Sequence, residues 1–99
     1  MTNIKDLWKQ FRDSLPDRTL AKDVNLEVVV KFEPSNNKFL SDQIILQDNT
    51  GSIEGFTEKK NISDYLKTVD GINKKIKIKG DLVKHEFDDL VFIIKSVAI

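Results

Sequence analysis

The chain contains no cysteine among its 99 residues, so neither a disulfide nor a thiolate-bound zinc ion can stabilise it. Glycine (four) and proline (two) are also scarce, and no internal repeat, linker or low-complexity tract is visible. A chain of this length forms one domain with a modest buried fraction. Its stability must therefore come from a single compact hydrophobic core.

The chain also lacks a surplus of charge, because 16 Lys and Arg balance 16 Asp and Glu. This balance argues against a strongly basic clamp for nucleic acid, although charges of one sign can still share one face. No stretch approaches the roughly 18 apolar residues that a membrane helix needs. Polar residues follow Met1 and no apolar segment comes after them, so no secretory signal is recognised. We expect a cytoplasmic or nuclear protein.

An amphipathic helix is predicted from Ile4 to Leu15. Apolar residues recur there at three- and four-residue steps and form one stripe: Ile4, Leu7, Trp8, Phe11 and Leu15. Asn3 is expected to cap the first turn. The stripe either covers an open end of the domain core or docks a partner, or a second copy of the chain, through Leu7, Trp8 and Phe11. We favour the first interpretation, because a stripe that contains a tryptophan must be buried somewhere.

From Val24 onwards the apolar period changes from that of a helix to that of a strand. Five short strands are predicted, at about residues 24–32, 39–47, 52–56, 74–83 and 90–97. Gly80 within the fourth strand indicates a bulge or a barrel corner. The last strand is apolar at nearly every position, which indicates burial on both faces or cover by the N-terminal helix.

Two connections fix the order of these strands. A tight hairpin at residues 48–51 joins the second strand to the third. Asn49 and Gly51 tolerate positive φ there, and the side chain of Asp48 can bond back to nearby amides. A short helix at about 62–69 separates the third strand from the fourth.

This order of elements favours an all-β fold, a five-stranded closed Greek-key barrel with an added N-terminal helix. We assign residues 1–20 to the helical segment and 21–99 to the barrel domain. An open α+β sheet packed on two helices is the alternative. An SH3-like barrel would lack the helix between the third and fourth strands.

The hairpin region resembles a known family. The run from Ile44 to Gly55, IILQDNTGSIEG, is similar to the L-x-D-x-T-G-x-I hairpin of OB folds that bind single-stranded nucleic acid. These include replication protein A-type subunits, archaeal single-stranded DNA-binding proteins and the OB modules of exoribonucleases and class II tRNA synthetases. The stretch from Asp70 to Ile94 is similar to the last two strands of the family. The resemblance covers the chain from about Val24 onwards and implies an OB fold.

The resemblance also implies a binding groove across the second and third strands, flanked by two loops. Bases would stack there on aromatic or flat apolar side chains, while cations follow the phosphate backbone. The candidate groove residues are Lys38, Phe39, Gln43, Ile45, Gln47, Phe56 and Phe87. Any single phenylalanine is more often a core residue, so the set is more informative than one member. Glu58, near a position where the family often has a large aromatic residue, would repel a phosphate.

The fourth strand carries much of the positive charge, because Lys75, Lys77 and Lys79 alternate and must share one face. They are candidates for phosphate contacts. The alternative is a solvated strand face that discourages pairing with other chains. An acidic turn at residues 86–89 opposes them in a loop that the family uses for binding, so we expect modest affinity.

Neither catalysis nor a cofactor is expected from these residue types. His85 is the sole histidine, and no nucleophile or carboxylate constellation accompanies it. The acids at 86–89 match no calcium loop, so no metal site is predicted. We expect a non-enzymatic module that binds single-stranded DNA or RNA with little sequence discrimination. The alternative is an OB-fold interaction subunit of a replication, repair or RNA-processing complex.

Overall fold

The computed structural model describes residues 3–11, 18–33, 43–70, 72–84 and 90–98 of the chain. Within them the helices and strands, in chain order, are α1 (Ile4–Phe11), β1 (Arg18–Glu33), β2 (Gln43–Asp48), β3 (Gly51–Phe56), α2 (Lys60–Thr68), β4 (Ile76–Lys84) and β5 (Leu90–Ala98). In this part of the chain neither helix has the length and apolar character that crossing a lipid bilayer requires.

The strands close into one barrel in the order β1-β2-β3-β5-β4, and β4 pairs back onto β1. Every pairing is antiparallel except that of β3 with β5, which is parallel. β1 serves both sides of the barrel, since it pairs with β4 up to Val28 and with β2 from Val29 onwards. This order, with α2 between β3 and β4, is that of the OB fold. The expected five-stranded barrel is confirmed, and the open α+β sheet is wrong.

Alternation along the strands supplies the core of the barrel. β2 and β4 place every second side chain inward, and the two helices close the ends. The buried set includes Leu26, Val28, Val30, Leu46, Ile78, Leu82, Phe92, Ile4, Leu7, Ile62 and Leu66. Burial of each such side chain contributes about 1.5–3 kcal/mol. The core is therefore what stabilises a chain that has no cysteine.

β1 begins at Arg18, earlier than the predicted start at Val24. The register of β1 against β4 shifts between Ala21 and Val24, and Asp23 has a φ of 54°. A bulge of this kind interrupts the apolar alternation although the strand continues, which is why the sequence pattern missed the first part of β1. Parts of the predicted N-terminal helix (12–15) and second strand (39–42) lie outside the described residues.

β5 changes character along its length. Its first three residues, Leu90–Phe92, are all buried, whereas Lys95 and Ser96 are exposed. β3 pairs only with Val91–Ile93, so the first half of β5 is enclosed and the second half forms the outer surface beside β4. The expected burial on both faces is confirmed for the first half of the strand and is wrong for the second.

Gly80 lies where the register of β4 against β5 changes, between Lys79 and Gly80. A Cβ atom at this position would lie 2.0 Å from the carbonyl oxygen of Ile93 and 2.8 Å from Cε1 of Phe92. Only glycine lets the two strands approach this closely. The irregularity predicted at Gly80 is confirmed.

We expect Gly80→Ala to lower the free energy of unfolding by about 3 kcal/mol, because the new methyl group overlaps backbone that cannot move alone. Gly51→Ala is the matched control. The nearest atom to a Cβ there is Cγ2 of Ile4, at an ordinary 3.6 Å, so its change should stay below about 1 kcal/mol. Urea unfolding followed by circular dichroism measures both. Equal stability of the two variants would show that the barrel does not need the close approach.

Candidate nucleic-acid interface

The outward side chains of β2 and β3 form one surface, here termed the β2–β3 face. It consists of Gln43, Ile45 and Gln47 from β2 and Ser52, Glu54 and Phe56 from β3. Ile45 lies opposite Glu54 in the register, and Gln47 lies opposite Ser52. All six side chains are exposed or half-buried, while the residues between them are buried. This is the orientation that the alternation predicts.

Phe56 is the exposed aromatic residue of this face, with 48% of its surface accessible. Its neighbour on the parallel strand β5 is the half-buried Ile93. Ile45 lies on the other side, diagonal to Phe56 across β2 and β3. Phe56 is therefore not a core residue, although a single phenylalanine more often is. An exposed ring flanked by aliphatic side chains can accept a stacked base.

β1 adds two outward residues to this surface that the sequence analysis missed. Lys31 lies opposite Ile45, and Val29 lies opposite Gln47. Alternation shows that they point outward but not which strand lies beside β1. Lys31 Nζ is 3.9 Å from Oε1 of Glu33. Both side chains are exposed to solvent, so this ion pair is weak and leaves the lysine able to contact another anion. Lys31 is thus a cation placed directly beside the aliphatic part of the face.

Three of the predicted groove residues, Lys38, Phe39 and Phe87, lie outside the described residues. The same is true of His85 and of the acidic turn at 86–89. Their part in binding stays a prediction. In the portion of the chain that the structure does describe, no three histidine or acidic side chains converge to hold a metal ion.

The lysines of β4 do not lie on the β2–β3 face. Lys77 lies between Glu27 of β1 and Ala98 of β5, and Lys79 occupies the next outward position. In the barrel, β1 separates β4 from β2, and β5 separates β4 from β3. The shared face is confirmed for Lys77 and Lys79, whereas Lys75 precedes the strand, and this face does not belong to the groove that contains Phe56.

The hairpin that positions this face is closed by a side chain. Asp48 Oδ1 accepts hydrogen bonds from the N–H groups of Thr50 (2.7 Å) and Gly51 (3.1 Å) and from the Thr50 hydroxyl. The expected back-bonding is confirmed. Positive φ at Asn49 and Gly51 is wrong, since neither residue lies in that region. Hydrogen bonds to the Asp48 carboxylate stabilise this turn, whereas residues with positive φ stabilise other tight hairpins.

The same two side chains attach α1 to the hairpin. The second oxygen of Asp48 accepts from the N–H of Ile4 at 2.9 Å, and Thr50 Oγ1 accepts from the N–H of Lys5 at 3.1 Å. These N–H groups belong to the first turn, where a helix offers them no acceptor of its own. Asn3 supplies the predicted cap. The D-x-T-G sequence therefore caps a helix from outside it.

The apolar stripe of α1 packs against the barrel. Leu7 is buried in the core, and the half-buried Trp8 and Phe11 pack beside it. Trp8 Nε1 also donates a hydrogen bond to the carbonyl oxygen of Ser52, at 2.9 Å. A partner could therefore reach only the outer parts of Trp8 and Phe11 while the helix stays in place. Partner binding through these residues stays a prediction.

The electrostatics of Asp48 favour its charged form. Partial burial, the largest single influence, would raise the pKa of the carboxyl, but hydrogen bonds outweigh it. The Thr50 hydroxyl and the N–H groups of Ile4, Thr50 and Gly51 together hold the pKa below its ordinary value of 3.8. This stabilisation is complete above the ordinary pKa. It is lost as the pH falls through the lower pKa of the folded chain.

A second polar cluster joins the irregular parts of β1 and β4. Asp81 Oδ1 accepts from the N–H of Asp23 at 3.1 Å, and Lys95 Nζ lies 3.1 Å from Asp23 Oδ1 and 3.4 Å from Asp81 Oδ1. The hydrogen bond from Asp23 and the nearby Lys95 hold the pKa of Asp81 below its ordinary value. Hydrogen bonds to Asp23 and Asp81 raise the pKa of Lys95. Lys95 is thus paired with carboxylates of β1 and β4.

We expect Asp48→Asn to lower the free energy of unfolding by about 1–2 kcal/mol at neutral pH, because charged acceptors at a helix start and a turn are lost together. The deficit should shrink as the pH falls below 3.8, where the wild-type carboxyl also becomes neutral. Fluorescence of Trp8, the only tryptophan, reports the docking of α1. Asp64→Asn on the exposed side of α2 is the control. Wild-type stability of the Asp48 variant at neutral pH would contradict the assigned role.

Comparison with known proteins gives few matches. No family model matches the sequence, and no curated protein matches it. Among solved structures, the chain is similar to the solution structure of the second OB-fold domain of replication protein A from Methanococcus maripaludis. The identity is 20%, the TM-score is 0.41, and the match covers 91% of each chain. The OB fold is assigned here from the strand order and pairing of the barrel itself.

Proposed function

We propose that the chain is a non-enzymatic module that binds single-stranded DNA or RNA on the β2–β3 face. The observation that carries this proposal is the exposed ring of Phe56, with Ile45 and Ile93 on either side. A large apolar side chain left in water on a sheet face is informative, because most such residues are buried. Stacking with bases gives it a partner of matching shape.

The groups near Phe56 suit binding of a nucleic-acid base without preference for its sequence. Stacking on an aromatic ring contributes about 1–3 kcal/mol per base and accepts every base, since each has a π-face. Gln43 and Gln47, which lie on the same face, offer amide donors and acceptors. Lys31, opposite Ile45, is placed to contact a phosphate. A short stretch of a single strand would therefore bind with little discrimination.

The affinity is expected to be modest because an acid lies within the same face. Glu54 pairs with Ile45 on one side and with Val91 on the other, so its carboxylate stands beside the stacking platform. It repels phosphates, and the chain has no net positive charge to compensate. Binding should thus depend more on stacking than on charge.

The alternative function is that of an OB-fold protein-interaction subunit in a replication, repair or RNA-processing complex. One observation favours it: Ile72, in the connection between α2 and β4, is 57% exposed. It does not belong to the β2–β3 face. Such a residue, together with the outer parts of Trp8 and Phe11, could contact a protein partner.

We expect Phe56→Ala to weaken binding of labelled dT and rU oligomers of about 15 nucleotides by about 10-fold or more, because one stacked base is lost. Fluorescence anisotropy measures the affinity. Ile72→Ala is the matched control, since it also truncates an exposed apolar side chain but lies off the face. It should bind as the wild type does.

Two outcomes would reject this assignment in different ways. If Phe56→Ala and Ile72→Ala bind equally well, nucleic acid does not stack on the β2–β3 face. If the wild-type chain binds neither oligomer at high protein concentration and low salt, the interaction-subunit function replaces the proposed one.

A further inference from the structure

Two surface grooves adjoin on the outer side of β1. The first, of about 660 Å³, extends from Gln47 at the edge of the β2–β3 face to Lys75. The second, of about 450 Å³, crosses β1, β4 and β5 at Lys77 and Lys79. Glu27 lines both grooves. Together they form one path that leaves the β2–β3 face and reaches the lysines of β4.

The register explains why the second groove is open. On β5, Ala98 lies beside Lys77 and Ser96 lies beside Lys79. Each lysine therefore has a small side chain as its neighbour on β5, and both lysines are exposed. Among the residues that the structure describes, no aromatic side chain lines this groove. It thus offers positive charge without a platform on which a base could stack.

The lysines along this path are available for an outside partner. Among the described residues, no carboxylate oxygen lies within 4.0 Å of Lys75, Lys77 or Lys79, in contrast to Lys31 and Lys95. Glu27, which is opposite Lys77 in the register, is the acid that lines the second groove. Positive charge therefore prevails in the second groove although the whole chain is neutral, whereas in the first groove Glu27 and Asp48 outnumber Lys75.

The spacing of these charges suits a phosphate backbone. Alternate residues of a strand are about 7 Å apart on one face, which is comparable to the distance between successive phosphates of an extended single strand. An acidic peptide could also bind these lysines. The path favours a nucleic-acid strand instead, because it begins at Gln47, on the face where we propose that the bases bind.

We propose that Lys75, Lys77 and Lys79 form a second contact for the same nucleic-acid strand. This contact binds the phosphates of the strand and not its bases. The strand leaves the β2–β3 face at Gln47, crosses β1 at Glu27 and continues along β4. This inference rests on the proposed function and extends its site. It makes the bound strand longer than the β2–β3 face alone requires, and it makes Glu27 a residue that lowers affinity.

The test compares Lys77→Gln/Lys79→Gln with Lys60→Gln/Lys67→Gln, which removes two exposed charges from α2. Binding of dT oligomers of about 5 and about 15 nucleotides is measured by anisotropy, a range that spans the site sizes of OB folds. The β4 variant should bind the short oligomer as the wild type does and the long one more weakly. For the long oligomer its log–log salt slope should be smaller in magnitude by about 1.4, since each phosphate contact contributes about 0.7. The α2 variant should match the wild type in both.

Glu27→Gln provides a change in the opposite direction. It should strengthen binding of the long oligomer by about 2- to 3-fold, the size of one phosphate contact between about 50 and 200 mM salt. The short oligomer should be unaffected. Asp64→Asn, which removes an acid from α2, is its control and should change neither affinity.

The outcomes separate this inference from the function on which it rests. An unchanged salt slope in the β4 variant, with Phe56→Ala still impaired, overturns the second contact and leaves the β2–β3 site intact. Equal weakening of the short and long oligomers overturns the path, because it indicates a general loss of positive potential. Tighter binding of poly-glutamate than of the long oligomer at these lysines assigns them to an acidic protein instead. Failure of the wild type to bind either oligomer overturns both proposals.

Discussion

Two elements far apart in the sequence meet at the carboxylate of Asp48. One of its oxygens closes the β2–β3 hairpin by accepting hydrogen bonds from Thr50 and Gly51, and the other accepts the N–H of Ile4 at the start of α1. Both sets of donors would otherwise be unsatisfied, since one set lies in a tight turn and the other in the first turn of a helix. The carboxylate thereby fixes α1 on the barrel and, with Trp8 bound to Ser52, holds β3 in place. The orientation of the β2–β3 face relative to α1 depends on these hydrogen bonds.

The closure of the barrel separates Phe56 from the lysines of β4. Because β4 lies between β1 and β5, its lysines emerge on a different side from Phe56. The places where strands approach closely or shift register, at Gly80 and near Asp23, allow the five strands to curve enough to close. A strand of nucleic acid that used both surfaces would have to follow the curvature of β1. The outward side of β1, at Glu27, is where the two grooves adjoin.

Several local features followed directly from the sequence pattern. The alternation in β2 and β3 identified which residues point outward, and the D-x-T-G run identified the hairpin and its back-bonding carboxylate. The helix between β3 and β4 distinguished a Greek-key barrel from other small β folds. These succeeded because each depends on interactions within a few residues or on a period of two. The start of β1 was missed because a bulge near Asp23 breaks that period, and the type of turn was missed because a side chain replaced the positive φ that the glycine suggested.

The sequence by itself therefore determined the class of fold, the division of each strand into inner and outer residues, and the absence of disulfides. It also placed Lys77 and Lys79 on one face of β4. Only the tertiary structure decided which strands lie side by side, that Lys31 faces Ile45, and that the β4 lysines do not share a groove with Phe56. It also revealed that the hairpin motif caps α1. The physical reason is that periodicity fixes where a side chain points relative to its own strand, whereas the neighbours of that strand depend on how the whole barrel closes.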